Sequence, residues 1–138
     1  MSRPSRTGAV PTDDDYERLL ELRDGVRRFL HWSEERARAA GITAAQYQLL
    51  LAIRGHGSAP SVRDVAAHLL LKHHSAVELV DRAERGGLVR RSPDPQDQRV
   101  VRLTLTAEGE RRLAVLAASH LEELARLRPS LQSLWTGL

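Results

Sequence analysis

Cysteine is absent from all 138 residues, and the only methionine is Met1. These absences exclude disulfides, thiolate nucleophiles, cysteine-based zinc sites, thiol redox sensing and any methionine sensor outside the first residue. Lysine is nearly absent as well: Lys72 stands alone, the remaining basic residues are arginine, and the pI is about 10.1. No run approaches the ~18 apolar residues of a membrane span. The opening Met-Ser-Arg-Pro-Ser-Arg-Thr has no apolar segment behind it, so a secretory leader is not read and a cytoplasmic address is expected. Neither a Ser/His/Asp order, nor paired-carboxylate geometry, nor a glycine-rich phosphate loop is recognisable, so no enzyme and no cofactor is expected.

What is present fits one globular domain: 41% hydrophobic and 28% charged residues, with a net charge of +3 that points to an anionic partner. The charge is unevenly placed. Residues 13–38 sum to −2, whereas residues 85–102, with Arg85, Arg90, Arg91, Arg99 and Arg102 against Asp94 and Asp97, sum to +3.

Residues 1–12 are rich in Pro, Gly, Ser and Thr and read as a flexible arm. From Asp13 to Arg38, Leu19, Leu22, Val26, Phe29 and Leu30 recur at helical steps behind an acidic first turn. Thr43 and Gln46 form a capping box for a second helix to about Arg54, stopped by Gly55-His-Gly57, and Ser61 with Asp64 repeats the device for a third ending near Leu69. A fourth helix runs from about Lys72 to Gly86-Gly87. Leu88–Arg91 and Val100–Leu105 are strand-like, the second with Val101, Leu103 and Leu105 on one side, joined by a polar tip over 92–99. Thr106 caps a last helix whose stripe is Leu113, Leu116, Ala117, His120, Leu121 and Leu124; Pro129 punctuates it, and Leu131, Leu134, Trp135 and Leu138 form a final apolar stripe.

Two short helices joined by a tight turn and followed by a hairpin give a mainly α fold with a small β-hairpin, a winged helix-turn-helix over about 43–105. An exposed helix has the width of the major groove, and an arginine at a hairpin tip suits a narrow minor groove. The helices over about 13–38 and 106–138 carry more apolar stripe than this small unit covers, as dimerisation helices would.

The residues that carry this order resemble the MarR family of bacterial transcriptional regulators. The likeness runs through Ala44-Ala-Gln-Tyr-Gln-Leu-Leu-Leu51, Val65-Ala-Ala-His-Leu69, Leu79-Val-Asp-Arg-Ala-Glu-Arg-Gly-Gly-Leu-Val-Arg-Arg91, Asp94-Pro-Gln-Asp-Gln-Arg99 and Leu105-Thr-Ala-Glu-Gly109. The resemblance implies a triangular homodimer that represses transcription from a pseudo-palindromic operator in double-stranded DNA and is released by a small molecule, often an aromatic acid. It places Lys72, His73, His74, Ser75 and Glu78 of the recognition helix on DNA, with Ser61 before it and Asp97, Gln98 and Arg99 in the wing. Leu70, Lys72 and Glu78 depart from the residues the family often has, namely Gly, Ser and Arg. Glu78 therefore accepts from a cytosine amino group, pairs with a neighbouring cation, or faces away.

Competing readings stand beside these. His68, His73 and His74 lack the i, i+4 spacing and third ligand of a zinc site, so phosphate or base contact is preferred to metal. His31, His56 and His120 are isolated in sequence and expected to be structural or exposed. Arg99 either enters a groove or braces the wing on Asp97 or Asp81, and only one of Arg90 and Arg91 can face DNA. Trp32 and Tyr47 either line an effector pocket or belong to the core. The end helices mix acids with arginines on their polar faces, which argues against a membrane surface. From a different class, a winged-helix module could use its basic wing to dock an acidic protein instead of DNA.

Overall fold

Local capping chemistry sets where the helices begin. In the computed structural model, which describes residues 8–136, α1 (Asp13–Ala39), α2 (Ala44–Gly55) and α3 (Val62–Leu69) each start on a reciprocal capping box, from Thr12 and Asp15, Thr43 and Gln46, and Ser61 and Asp64. The chain continues with α4 (His73–Arg85), β1 (Val89–Pro93), β2 (Val101–Leu105) and α5 (Ala107–Trp135), the last capped by the Thr106 hydroxyl accepting from the Gly109 amide. The expected arm therefore ends in a helix cap at Thr12; residues 1–7 of that arm, and Leu138 of the last apolar stripe, lie outside the described residues. Among the described residues no helix is long and apolar enough to cross a membrane.

The core lies beneath the helix-turn-helix. Leu49, Leu50, Val65, Val80, Val89 and Leu103 are fully buried, joined by Ile53, Leu79, Ala83 and Leu88, while α1 supplies Ala37 and α5 supplies Leu113 and Leu116. Elsewhere on the end helices the apolar side chains face outward: Leu19, Leu20, Val26 and Leu30 on α1, Val115, Leu121 and Leu124 on α5. The single stripe expected on α5 thus divides, with Leu113, Leu116 and His120 inward and Leu121 68% exposed. Pro129 does not end the helix as expected. It lies inside α5, which forgoes the one backbone hydrogen bond that proline cannot donate and continues to Trp135.

β1 and β2 pair antiparallel, Val89 with Leu105 and Pro93 with Val101, so the strands extend further toward the tip on the first side than sequence periodicity indicated. Pro93 is tolerated because the ladder closes beyond it, where the Asp94 amide donates to the Val100 carbonyl at 2.8 Å. Val101 is exposed rather than facing inward with Leu103, since β2 has left the core by that point. A third edge is added by the segment before α3: the Leu103 amide donates to the Pro60 carbonyl at 2.8 Å and Ser61 bridges Arg102.

Polar ties then fix the hairpin to α3. Arg102 donates to Asp94 at 2.8 Å and lies 3.9 Å from Asp64, the carboxylate of the α3 capping box. Asp94 in turn accepts from the amides of Gln96 and Asp97, which shapes the tip. Both carboxyls sit below the ordinary aspartate range. The Ser61 amide is the main cause for Asp64, and the Arg102 guanidinium is the main cause for Asp94, followed by the Gln96 and Asp97 amides.

Two backbone positions have opposite consequences. A Cβ at Gly109 would overlap the Leu88 carbonyl oxygen, because α5 begins pressed against the entry to β1, where the Thr106 amide also donates to that carbonyl. Leu70, by contrast, closes α3 in the left-handed region at φ 54° while its side chain is 92% exposed, so no burial offsets the strain. Gly109→Ala is expected to destabilise by about 3 kcal/mol, because backbone cannot yield as a side chain does. Leu70→Gly is expected to stabilise by about 0.5–1 kcal/mol, the relieved strain less the added freedom of the unfolded chain. Urea unfolding of the two variants checks both signs.

A carboxyl whose folded pKa lies below its unfolded one stabilises the fold above the unfolded value, and the contribution disappears as pH falls through the folded value. Asp64 and Asp94 are of this kind. The Asp64→Asn, Asp94→Asn double variant is therefore expected to show a flatter fall of melting temperature with acid below the ordinary aspartate range. An unchanged acid slope in thermal melts would refute the assignment.

Candidate nucleic-acid interface

On α4, Ala76, Leu79, Val80 and Ala83 are buried, and at roughly 100° per residue the opposite stripe is His74, Glu78, Arg82 and Arg85, all exposed. Lys72 is the N-cap and makes no side-chain cap, unlike the residues that open the other helices, so the first-turn amides of α4 face outward without a protein acceptor from that position. Lys72 and His73 are exposed beside them, and Ser75 is half-buried at the edge of the stripe. Ser61 lies at the start of α3, half-buried, its oxygen accepting from the Asp64 amide at 3.1 Å.

The wing stands beside this helix and is tied to it. Arg91 reaches from β1 to Asp81 at 2.6 Å and to Glu84 at 2.8 Å. Burial alone would lower its pKa; the two carboxylates outweigh that and hold it above the usual arginine value. Asp81 is thus engaged by Arg91, and the alternative that Arg99 braces on Asp81 falls away. Arg99 instead forks onto Asp97, at 3.1 and 3.4 Å, with its side chain 92% exposed at the tip, and Gln98 is exposed next to it. Arg90 points to the side of β1 opposite Arg91 and is exposed.

Exposed cations of the winged unit that carry no ion pair among the described residues include Arg63 on α3, Lys72, Arg82, Arg85 and Arg90. Glu78 carries none either. Arg63 and Arg82 were not singled out from the sequence, and Arg85 only as part of the basic segment 85–102, although the i, i+4, i+8 relation of His74, Glu78 and Arg82 was available there.

The histidines depart from their expected isolation. His56, the C-cap of α2, and His68 of α3 lie 2.9 Å apart through Nδ1 and Nε2, with ring centroids 5.2 Å apart. That centroid separation is nearly the nitrogen distance plus two ring radii, so the nitrogens face each other in a direct hydrogen bond instead of converging on a shared ion. The other nitrogen of His56 faces Asp64 at 3.7 Å. Among the described residues no group of three or more His, Asp or Glu is placed to hold a metal.

His120 is buried at the junction of α1, α2 and α5. Its Nδ1 donates to the Leu116 carbonyl at 2.7 Å, and its Nε2 is hydrogen-bonded to the Ser33 hydroxyl at 2.6 Å. Tyr47 stacks on it at 4.4 Å between centroids and Trp32 meets it edge-on at 4.9 Å. The structure therefore brings Trp32 and Tyr47 to one histidine that the sequence had not linked to either. Burial raises the Tyr47 pKa. Trp32 also borders a groove of about 730 Å³ between α1 and α5, with Arg28, Phe29, Arg126 and Leu127; Tyr47 does not line it.

Residues 40–100, which hold α2, α3, α4, β1 and the wing tip, match the sequence model of the MarR family. The HTH-type transcriptional repressor MdtR of Bacillus subtilis (strain 168) is 31% identical over 86 residues, a match that spans 62% of this chain and 55% of that protein. CouR from Rhodococcus jostii RHA1, solved bound to p-coumaroyl-CoA, superimposes with a TM-score of 0.68 at 27% identity, covering 91% of this chain and 95% of CouR. A mutant of MepR from S. aureus, solved bound to an oligodeoxyribonucleotide, has the same fold, with a TM-score of 0.66 at 22% identity over 83% of this chain and 82% of MepR. By its winged helix-turn-helix, the order of its elements and these matches, the chain is similar to the MarR family, most directly over residues 40–100.

Proposed function

We propose that this chain is a dimeric transcriptional repressor that binds a pseudo-palindromic operator. The observation that carries the reading is the juxtaposition of an uncapped recognition-helix N-terminus, an outward stripe on α4 and an exposed arginine at the tip of a braced wing. An α-helix with its side chains, ~10–12 Å across, matches the major groove, and helix N-termini attract phosphate. MdtR is named a transcriptional repressor and MepR is bound to DNA in its structure, which supports the same role for this chain. In this arrangement Lys72, His73, His74, Ser75 and Glu78 meet base edges or phosphates, Ser61 sits at the start of the supporting helix, and Asp97 and Gln98 present Arg99 to the adjacent minor groove. A small-molecule effector fits the groove beside Trp32, where Phe29 and Trp32 offer aromatic walls and Arg28 offers a positive charge, Arg126 being held by Glu123; CouR is solved bound to p-coumaroyl-CoA.

The outward leucines of α1 and α5 form the dimer face. Light scattering at micromolar concentration is expected to give twice the chain mass of 15.4 kDa, and a monomer under those conditions overturns the dimer.

Arg99 separates DNA contact from wing bracing. An exposed ion pair contributes only ~0–1 kcal/mol to stability, whereas loss of a groove contact costs about 1–3 kcal/mol of binding. Operator titration over a salt series is expected to fall with a slope near −0.9 per neutralised phosphate. Arg99→Ala is expected to weaken binding by that margin with an unchanged melting temperature. If Asp97→Ala alone matches the loss and the double variant loses no more, Arg99 only braces the wing.

A further inference from the structure

We propose that Glu78 reads a cytosine amino group in the major groove and so fixes a C·G pair in each half-site, an inference that rests on the operator-binding reading above. Glu78 lies on the outward stripe of α4, one turn after His74 and one turn before Arg82. It does not face the core. The acids of α4 divide sharply: Asp81 and Glu84 are both held by Arg91, while Glu78 is exposed and has no ion pair among the described residues. Even Arg82, at the favourable i+4 position, does not take it up.

A carboxylate accepts hydrogen bonds and never donates one. In the major groove the only donors are cytosine N4 and adenine N6. Adenine N6 sits between N7 of its own ring and O4 of the paired thymine, two acceptors that repel a carboxylate from both sides. Cytosine N4 has an acceptor on one side only, the guanine O6, and a C–H on the other. Guanine and thymine present acceptors directly to the same position. The charge that is unfavourable near phosphates therefore discriminates among bases in one direction, toward cytosine. His74 and Arg82 flank it at i−4 and i+4 on the same stripe, and the Arg82 charge offsets its own.

The test is selection from randomised duplex DNA with the full-length chain, Glu78→Gln and Arg82→Ala, followed by titration of the selected site and of single-base replacements within it. The wild type is expected to select C at one position of each half-site and to lose about fivefold or more in affinity when that C is replaced. Glutamine pairs bidentately with adenine N6 and N7, so Glu78→Gln is expected to move the preference at that position from C to A. Arg82→Ala is expected to weaken all sequences alike. The proposal is overturned if Glu78→Gln strengthens every sequence by one common factor with the preference unchanged, because Glu78 then only repels phosphate. It is equally overturned if Arg82→Ala erases the C preference as fully as Glu78→Gln, because Glu78 then orients Arg82. Failure of the wild type to enrich any sequence overturns the operator-binding reading itself, and with it this one. That failure is distinguished by the absence of any selected half-site in the first arm.

Discussion

Everything on the outward face of the winged unit depends on the wing and α4 being one body, and Arg91 is the side chain that joins them. Its guanidinium is three-quarters covered and satisfies two carboxylates on successive turns of α4. Charge-assisted hydrogen bonds of this kind have fixed directions, so they set the angle of a hairpin in a way that apolar contacts cannot. The apolar contacts supply most of the free energy: Val89 and Leu103 are buried beneath the same strands. Asp81 and Glu84 are thereby both engaged by Arg91 and held toward the wing, while His74, Glu78, Arg82 and Arg85 form the outward stripe that a ligand meets.

The second tie runs from the other edge of the hairpin. Arg102 joins Asp94, which shapes the tip, to Asp64, which starts α3. These pairs are partly exposed and individually weak. Their value lies in connectivity. Arg102 ties the tip to α3, Arg91 ties β1 to α4, and the His56 to His68 hydrogen bond continues the polar contacts from α3 to the end of α2. A rigid frame of this kind keeps Arg99 and the N-terminus of α4 at a fixed separation, which a partner with two grooves requires.

Much of this was legible in the sequence wherever the signal is local. Thr43 with Gln46, Ser61 with Asp64 and Thr106 with Gly109 announce helix starts within four residues, and the alternation around Leu103 announces a strand. The wing and its terminal Arg99 were legible for the same reason, helped by the likeness of the tip to a known family. Thr12 was missed as a cap because composition alone assigned it to an arm, although Asp15 stands at the right spacing. What local spacing does not encode is the choice of distant partner. Arg91 selecting Asp81 and Glu84, Arg102 selecting Asp94 and Asp64, and His120 gathering Trp32 and Tyr47 all depend on how the elements pack. Leu121 misled for a related reason: on a long helix packed at one end only, one apolar stripe serves two surfaces, and periodicity cannot say where the change occurs.

That change of surface along α5 also locates the junction at which the end helices meet the winged unit. Leu113 and Leu116 pack into the winged core, His120 closes the aromatic cluster one turn later, and beyond it the apolar residues face outward. His120 donates within α5 to the Leu116 carbonyl and is hydrogen-bonded to Ser33 of α1, while its ring rests on Tyr47 of α2. A shift of α1 against α5 therefore cannot leave all three contacts intact: either the Ser33 bond lengthens or the ring slides on Tyr47. Because α2 packs on α3 and α4 through the core that holds Leu49, Leu50 and Ile53, such a shift has a continuous apolar path to α4. The groove beside Trp32 borders this junction, so any ligand that bound there would lie against the place where α1, α2 and α5 meet through the Ser33–His120 hydrogen bond and the stacking of His120 on Tyr47.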